Sequence, residues 1–220
     1  ISENESAPTV ALSVSASSIA ENAGSSLTIT ATLSGAADEA VTVSLSTSST
    51  ATEGTDYTDG SGNVDDITIS AGSTTGTVNF TPTDDSVYEG NETAIIAISG
   101  VSGADATENG TQTVTITITE NESAPTITLA RSAASIDENS GSTITLTATI
   151  SGVTDSAVTV ALSTSGTATE GTDYGTISDI TISAGATTGT ATLDPTDDNV
   201  YEGDETATID ISSVSGKSGV

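Results

Sequence analysis

The chain has 220 residues, a formal charge of −29 from 31 acidic and 2 basic side chains, and neither cysteine nor histidine. Such a charge repels nucleic-acid phosphates and anionic lipid, so no nucleic-acid partner and no membrane insertion is expected. Without cysteine there are no disulfides or thiolate metal sites, and without histidine the usual general base and commonest transition-metal ligand are missing; the hard oxygen donors that remain suit calcium or magnesium.

In chain order, ISENESAP at 1–8 returns as ITENESAP at 118–125. Residues 1–7 therefore read as the tail of a preceding repeat, and the chain as an excerpt of a longer protein. TVALSV (9–14), LTITATL (27–33), AVTVSLST (40–47), DITIS (66–70), TGTVNF (75–80), ETAIIAIS (92–99) and TQTVTITIT (111–119) follow. They are rich in Val, Ile and Thr, and most alternate apolar with polar, which predicts half-buried strands. Gly, Ser, Asn and Asp fill the turns between them. About seven such strands at short spacing predict an all-β fold, an immunoglobulin-like antiparallel β-sandwich, with a closed barrel as the alternative. No stretch carries a helical period with caps at both ends, and no apolar run approaches the ~18–20 residues of a membrane span.

The second half repeats the first. IAEN (19–22) returns as IDEN (136–139) and ATEGTDY (51–57) returns unchanged at 168–174, an offset of 117. DITISAG (66–72) returns at 179–185, and TDDSVYEGNET (83–93) as TDDNVYEGDET (196–206), an offset of 113. The missing residues fall in the Gly/Asp-rich loop at 58–66, where deletion is cheap. The repeats are placed at 8–122 and 123–220. The second stops before the counterpart of 111–119, which predicts an open sheet edge with uncovered apolar side chains. Tyr57, Tyr88, Tyr174 and Tyr201 occupy matched positions and read as plugs at the end of a thin aliphatic core, their hydroxyls reaching water or a carboxylate.

Many carboxylates recur at equivalent positions. Glu21 pairs with Glu138, Glu53 with Glu170, Asp56 with Asp173, Asp84 and Asp85 with Asp197 and Asp198, Glu89 and Glu92 with Glu202 and Glu205, and Glu3 and Glu5 with Glu120 and Glu122. Alternate connections of a sandwich share one end. The connections holding Glu21, Asp56, Asp84 to Glu92, and Glu120-Asn121-Glu122 can therefore meet there. Two carboxylates ~6 Å apart repel by ~3 kcal/mol at an effective dielectric of ~20. Calcium, which accepts six to eight oxygens in irregular geometry, would relieve a cluster of them. The other reading is a solvated acidic rim that binds nothing specifically.

IAENAG (19–24), A-x-x-G-x-DY (51–57), AG (71–72) before a strand, DD-x-x-YE-x-x-E (84–92) and the closing Glu120-Asn121-Glu122 together resemble the Calx-beta domain. The resemblance implies a seven-stranded immunoglobulin-like sandwich that binds calcium in its distal loops. By position it implies a first site of Glu21, Asp56, Asp84, Asp85, Glu89 and Glu92, the carbonyl of Val87, and Glu120, Asn121 and Glu122 closing it. A second site would use Glu138, Asp173, Asp197, Asp198, Glu202 and Glu205. The closing run departs from the Asp-rich run usual in that family, and the second site has no closing triplet within this chain.

Catalysis is not expected: serine is plentiful, but no histidine is present to activate it and G-x-S-x-G is absent. The expected function is a calcium-stabilised structural repeat of an extracellular or cell-surface adhesin stalk or fibre, calcium stiffening the junctions. Its partners would be neighbouring repeats or copies of the protein, with cell-surface or glycan ligands met through other domains. The alternatives are a head-to-tail filament completed by strand donation from residues 1–5, and a glycan- or ice-binding module.

Overall fold

The computed structural model describes residues 5–60 and 62–217. Most of the tail assigned to a preceding repeat, with Glu3, lies outside the described residues. By their contacts these residues form two units. One runs to Asp85 and resumes over Asn91–Asn121; the other comprises Ser86–Gly90 and the chain from Glu122 on.

The first unit contains β1 (Thr9–Val14), β2 (Ser18–Ala20), β3 (Leu27–Leu33), β4 (Val41–Ser48), β5 (Tyr57–Thr58), β6 (Ile67–Ile69), β7 (Thr75–Pro82), β8 (Glu92–Ser102), β9 (Thr107–Glu108) and β10 (Thr113–Thr119). They form two five-stranded sheets, ordered β5-β7-β3-β1-β9 and β2-β10-β8-β4-β6. Each sheet keeps two edges, so the unit is an open sandwich and not the barrel alternative. The period of two does the sorting. On β3, Leu27, Ile29, Ala31 and Leu33 are buried while the threonines between them face outward. Val10, Val43, Ile96 and Ile116 come from the other central strands, and all are fully buried. Each such aliphatic side chain contributes about 1.5–3 kcal/mol on burial.

Three short strands go beyond the sequence expectation. The first predicted strand ends at Val14, and β2 then pairs in parallel with β10 in the opposite sheet. The run Ser15-Ala16-Ser17 between them has no large apolar side chain to hold it to either sheet, so the chain crosses there. β5 and β9 add two residues each at the edges.

The second unit contains β11 (Ile127–Arg131), a three-residue 3-10 turn (Glu138–Ser140), β12 (Ile144–Ile150), β13 (Val158–Gly166), β14 (Ile180–Ile182), β15 (Thr188–Leu193) and β16 (Ala207–Ser215). Its sheets are β11-β12-β15 and β14-β13-β16. No strand lies on the far side of β16 among the described residues. Ile209 and Ile211 of β16 are half-buried, whereas their equivalents Ile96 and Ile98 are 0% and 9% exposed.

Two repeated features shape the sandwiches. Gly76 on β7 passes so close to β6 that a Cβ there would lie 2.6 Å from the Thr68 carbonyl oxygen; at Gly189 it would lie 2.5 Å from that of Thr181. Only glycine lets these strands of opposite sheets approach so closely. The second feature is a bulge, at Ser44/Leu45 on β4 and at Ala161/Leu162 on β13. Asp66 accepts the Leu45 N–H at 3.0 Å and the Ser44 hydroxyl at 2.9 Å, and Asp179 accepts the Leu162 N–H at 3.0 Å. These carboxylates supply the partners that the bulge takes from the ladder. Among the described residues no helix is long and apolar enough to cross a membrane.

Candidate metal centre

The parallel pairing of β2 with β10 sets the first cluster. Ala20 lies opposite Thr119, so the next residues, Glu21 and Glu120, emerge side by side. The Glu21 N–H donates to Thr119 O at 3.0 Å, fixing that exit. Oxygens of Glu21 and Glu120 lie within 4.8 Å of each other, as do those of Glu21 and Asp85. Glu21 is only 5% exposed, and its Oε1 accepts the Asp85 N–H at 3.3 Å. At this spacing two carboxylates repel by about 3 kcal/mol at an effective dielectric of ~20.

Asp56 and Glu92 make a second pair in the same unit, also within 4.8 Å. Asp56 is 8% exposed; its side chain accepts the Thr52 N–H, and its carbonyl accepts the Thr83 N–H at 2.9 Å. Asn121 follows in the exit of β10, its N–H donating to Glu120 Oε1 at 2.9 Å. Val87 and Glu89 fall in Ser86–Gly90, and these and Glu122 belong with the second unit.

The second unit repeats the scaffold with its own residues. The Asp198 N–H donates to Glu138 Oε1 at 2.8 Å, and the Thr169 N–H to Asp173 Oδ2 at 2.6 Å. Oxygens of Asp173, Glu202 and Glu205 lie within 4.8 Å of one another. Glu138 and Glu202 line one hollow with Val200 and Tyr201, while Asp197 lines a neighbouring one with Glu138. Asp84 and Asp197 are exposed and stand outside the close groupings.

A scan of the chain against family models matches the Calx-beta domain twice, over residues 3–122 and 120–219. The chain belongs to the Calx-beta family. Among solved structures similar to its two Calx-beta repeats, CBD12 from CALX1.2 is 20% identical, covering 84% of this chain and 74% of that one with a TM-score of 0.43. The apo-form Calx CBD1 domain is 17% identical over 52% of this chain and 99% of its own, with a TM-score of 0.42. The calcium binding domain CBD12 of CALX1.1 is 18% identical over 80% and 71%, with a TM-score of 0.41. No curated protein matches.

The Calx-beta repeats use their recurring acids in two ways. Some crowd together, as above. Others hold loops: Glu53 accepts the Thr47 hydroxyl at 2.9 Å and the Val64 N–H at 2.6 Å, and Glu170 accepts the Thr164 hydroxyl at 2.8 Å and the Ile177 N–H at 2.9 Å. Asn91, which the sequence reading did not place in the site, accepts the Glu120 N–H at 3.0 Å and so orients the closing run.

The tyrosines divide as well. Tyr57 and Tyr174 plug the core as expected, at 0% and 3% exposed, and Tyr57 stacks on Phe80 with ring centroids 4.5 Å apart. The Tyr57 hydroxyl, however, reaches neither water nor a carboxylate; it is buried and completes no hydrogen bond among the described residues. Burial pushes its pKa up; the nearby Thr47 hydroxyl works against this, and the charges of Glu53 and Asp56 add to it. Tyr201 plugs nothing and stands 96% exposed.

Glu202 and Glu205 are raised above the ordinary carboxylate value. Loss of water around each group contributes most. The charge of Asp173 follows in both; Asp198, Glu205 and Glu138 add to Glu202, and a hydrogen bond with Asp173 and the charge of Glu138 add to Glu205. A folded state that holds these protons more tightly than the unfolded chain loses stability as pH rises through the raised values. The metal-free second unit is therefore expected to gain stability from these two groups as pH falls from ~7 toward the ordinary carboxylate range. With calcium bound the sign reverses, because protons compete with the ion for the same oxygens. Melting across that range, with chelator and with calcium, checks both signs against a Glu202→Gln/Glu205→Gln variant. A metal-free slope identical in variant and parent would show that the crowding carries no free energy.

Proposed function

We propose that this chain is a calcium-binding structural segment of an extracellular adhesin stalk or surface fibre, in which bound calcium stiffens the joins between repeats. The convergence of Glu138, Asp173, Asp198, Glu202 and Glu205 on one end of the second unit carries this reading. The donors are all hard oxygens held by loops that differ in length and direction, a set that suits calcium's irregular shell better than magnesium's strict octahedron. In the first unit Glu21, Asp56, Asp85, Glu92 and Glu120 would hold the ion, and in the second Asp173, Glu202 and Glu205 with Glu138 and Asp198 beside them. The ion supplies charge neutralisation and no chemistry. Glu120-Asn121-Glu122 leads within three residues into the start of the second repeat at Pro125, so a cation held by that run would restrict the linker.

Small-angle scattering of the chain at millimolar calcium, millimolar magnesium and with chelator tests the stiffening. A narrower, more extended distance distribution in calcium alone is expected. Superimposable profiles in all three would refute it and leave an acidic spacer.

A further inference from the structure

Of the prolines in the chain, Pro195 alone follows an aspartate. That pairing has a reaction of its own. The carboxylate of an aspartate can reach the carbonyl carbon of the same residue, closing a small cyclic anhydride. The competing route, in which the next residue's nitrogen attacks the side chain, is closed because proline has no N–H. The equivalent pair in the first repeat is Thr81-Pro82, NFTPTDD against TLDPTDD, so the fold does not require a carboxylate there.

The fold grips this bond from both sides. Asp194 directly follows β15 and is exposed; Pro195 is half-buried and pairs with Tyr174. The Gly175 N–H donates to Asp194 O and the Thr196 N–H to Asp173 O, both at 2.9 Å. The first of these donors sits on the carbonyl that would be attacked, at the distance where a backbone N–H stabilises a developing oxyanion. The Asp194 carboxylate is uncommitted. Among the described residues no hydrogen bond holds it, and the residue lines a hollow with Glu138 and Asp197.

We infer that Asp194-Pro195 is a self-cleavage site, at which the chain hydrolyses its own backbone. An Asp194 carboxylate oxygen bonds to the Asp194 carbonyl carbon, whose oxygen takes up negative charge against the Gly175 N–H. The C–N bond to Pro195 then breaks. The proline nitrogen leaves with the bonding pair and takes a proton from solvent. A water molecule opens the anhydride, restoring the side-chain carboxylate and leaving a new terminal carboxyl at Asp194. In sum a peptide bond and a water are consumed, with no metal and no redox partner, so the step does not rest on the calcium reading. Because the leaving nitrogen must be protonated, acid speeds the step. The acids on the segments packed against the bond are Glu138, Asp173 and Asp197. The cut falls between β15 and β16. Since β16 stays paired with β13, the folded chain is nicked and its pieces part only on unfolding.

The test is prolonged incubation of the whole folded chain with chelator at pH ~5 and ~7, above the ordinary carboxylate range, read by denaturing gel and mass spectrometry. Fragments that end at Asp194 and begin at Pro195 are expected, and faster at the lower pH. Asp194→Thr, which copies the first repeat, should abolish them with melting unchanged. The Thr81-Pro82 bond should stay whole in the same samples. The parent chain unfolded in urea keeps the Asp-Pro bond but loses the Gly175 donor, and should cleave about tenfold or more slowly. An intact parent chain, cleavage that survives Asp194→Thr, equal cutting at Thr81-Pro82, or an unfolded chain that cleaves as fast as the folded one would each overturn the inference.

Discussion

Millimolar calcium is expected to raise the thermal midpoint of this chain by about 10–30 °C over chelator, with magnesium adding far less. A ligand that binds only the folded state adds about 2.7 kcal/mol at a hundredfold excess over its Kd and about 4.1 kcal/mol at a thousandfold excess. Each kcal/mol moves a unit of this size by about 4–8 °C. The folded chain has reason to respond at the high end. Glu21 and Asp56 are buried at 5% and 8% exposure with other carboxylates within 4.8 Å. Neither can relax its repulsion by swinging into water without giving up the backbone N–H it accepts. Unfolding separates these charges, so the metal-free native state carries a strain that calcium removes. Circular dichroism melts in calcium, magnesium and chelator measure it. Coincident curves in all three would mean that the clusters are a hydrated acidic rim.

The sandwich was legible because alternation is a local property. LTITATL needs no neighbour to declare which of its side chains face inward, and its burial follows the sequence residue by residue. What a carboxylate does is not local. Asp66 and Asp179 stand just before strands and look like any loop acid, yet they complete a bulge, whose existence depends on how β4 meets β8 and β13 meets β16. Glu53 and Glu170 recur as faithfully as Glu21 and Glu138, but their oxygens are spent on a hydroxyl and a loop N–H. Recurrence marks a carboxylate as needed; only topology separates one that holds backbone from one that crowds its neighbours. The crossing at Ser15–Ser17 was unread for a related reason. Three small residues say that neither sheet holds the chain, but not where it lands, and its landing beside β10 is what brings Glu21 to Glu120. The tyrosines make the same point, since the VYE motif of both repeats is one sequence in two environments.

Tyr57→Ala is expected to cost the first unit about 3–5 kcal/mol and to weaken its calcium binding tenfold or more. Both effects come from one residue because Tyr57 joins the core to the acidic end. Its ring is fully buried, stacked on Phe80, and its backbone pairs with Pro82. The preceding residue is Asp56, whose carbonyl takes the Thr83 N–H and whose carboxylate faces Glu92. Emptying the ring's site removes the largest contact that holds this corner, and the cavity left behind lets Asp56 drift from Glu92. Tyr57→Phe separates packing from polarity. The hydroxyl is buried and completes no full hydrogen bond, with only the Thr47 hydroxyl near it, so its removal forfeits little and relieves a desolvated group. That variant should match or slightly exceed the parent in stability and bind calcium unchanged. Urea unfolding gives the stability of each variant, and calorimetric titration gives its calcium affinity, with the second unit as an internal reference. If Tyr57→Ala loses stability but keeps its affinity, the Thr52 and Thr83 backbone bonds alone position Asp56, and the coupling of core to acidic end is wrong.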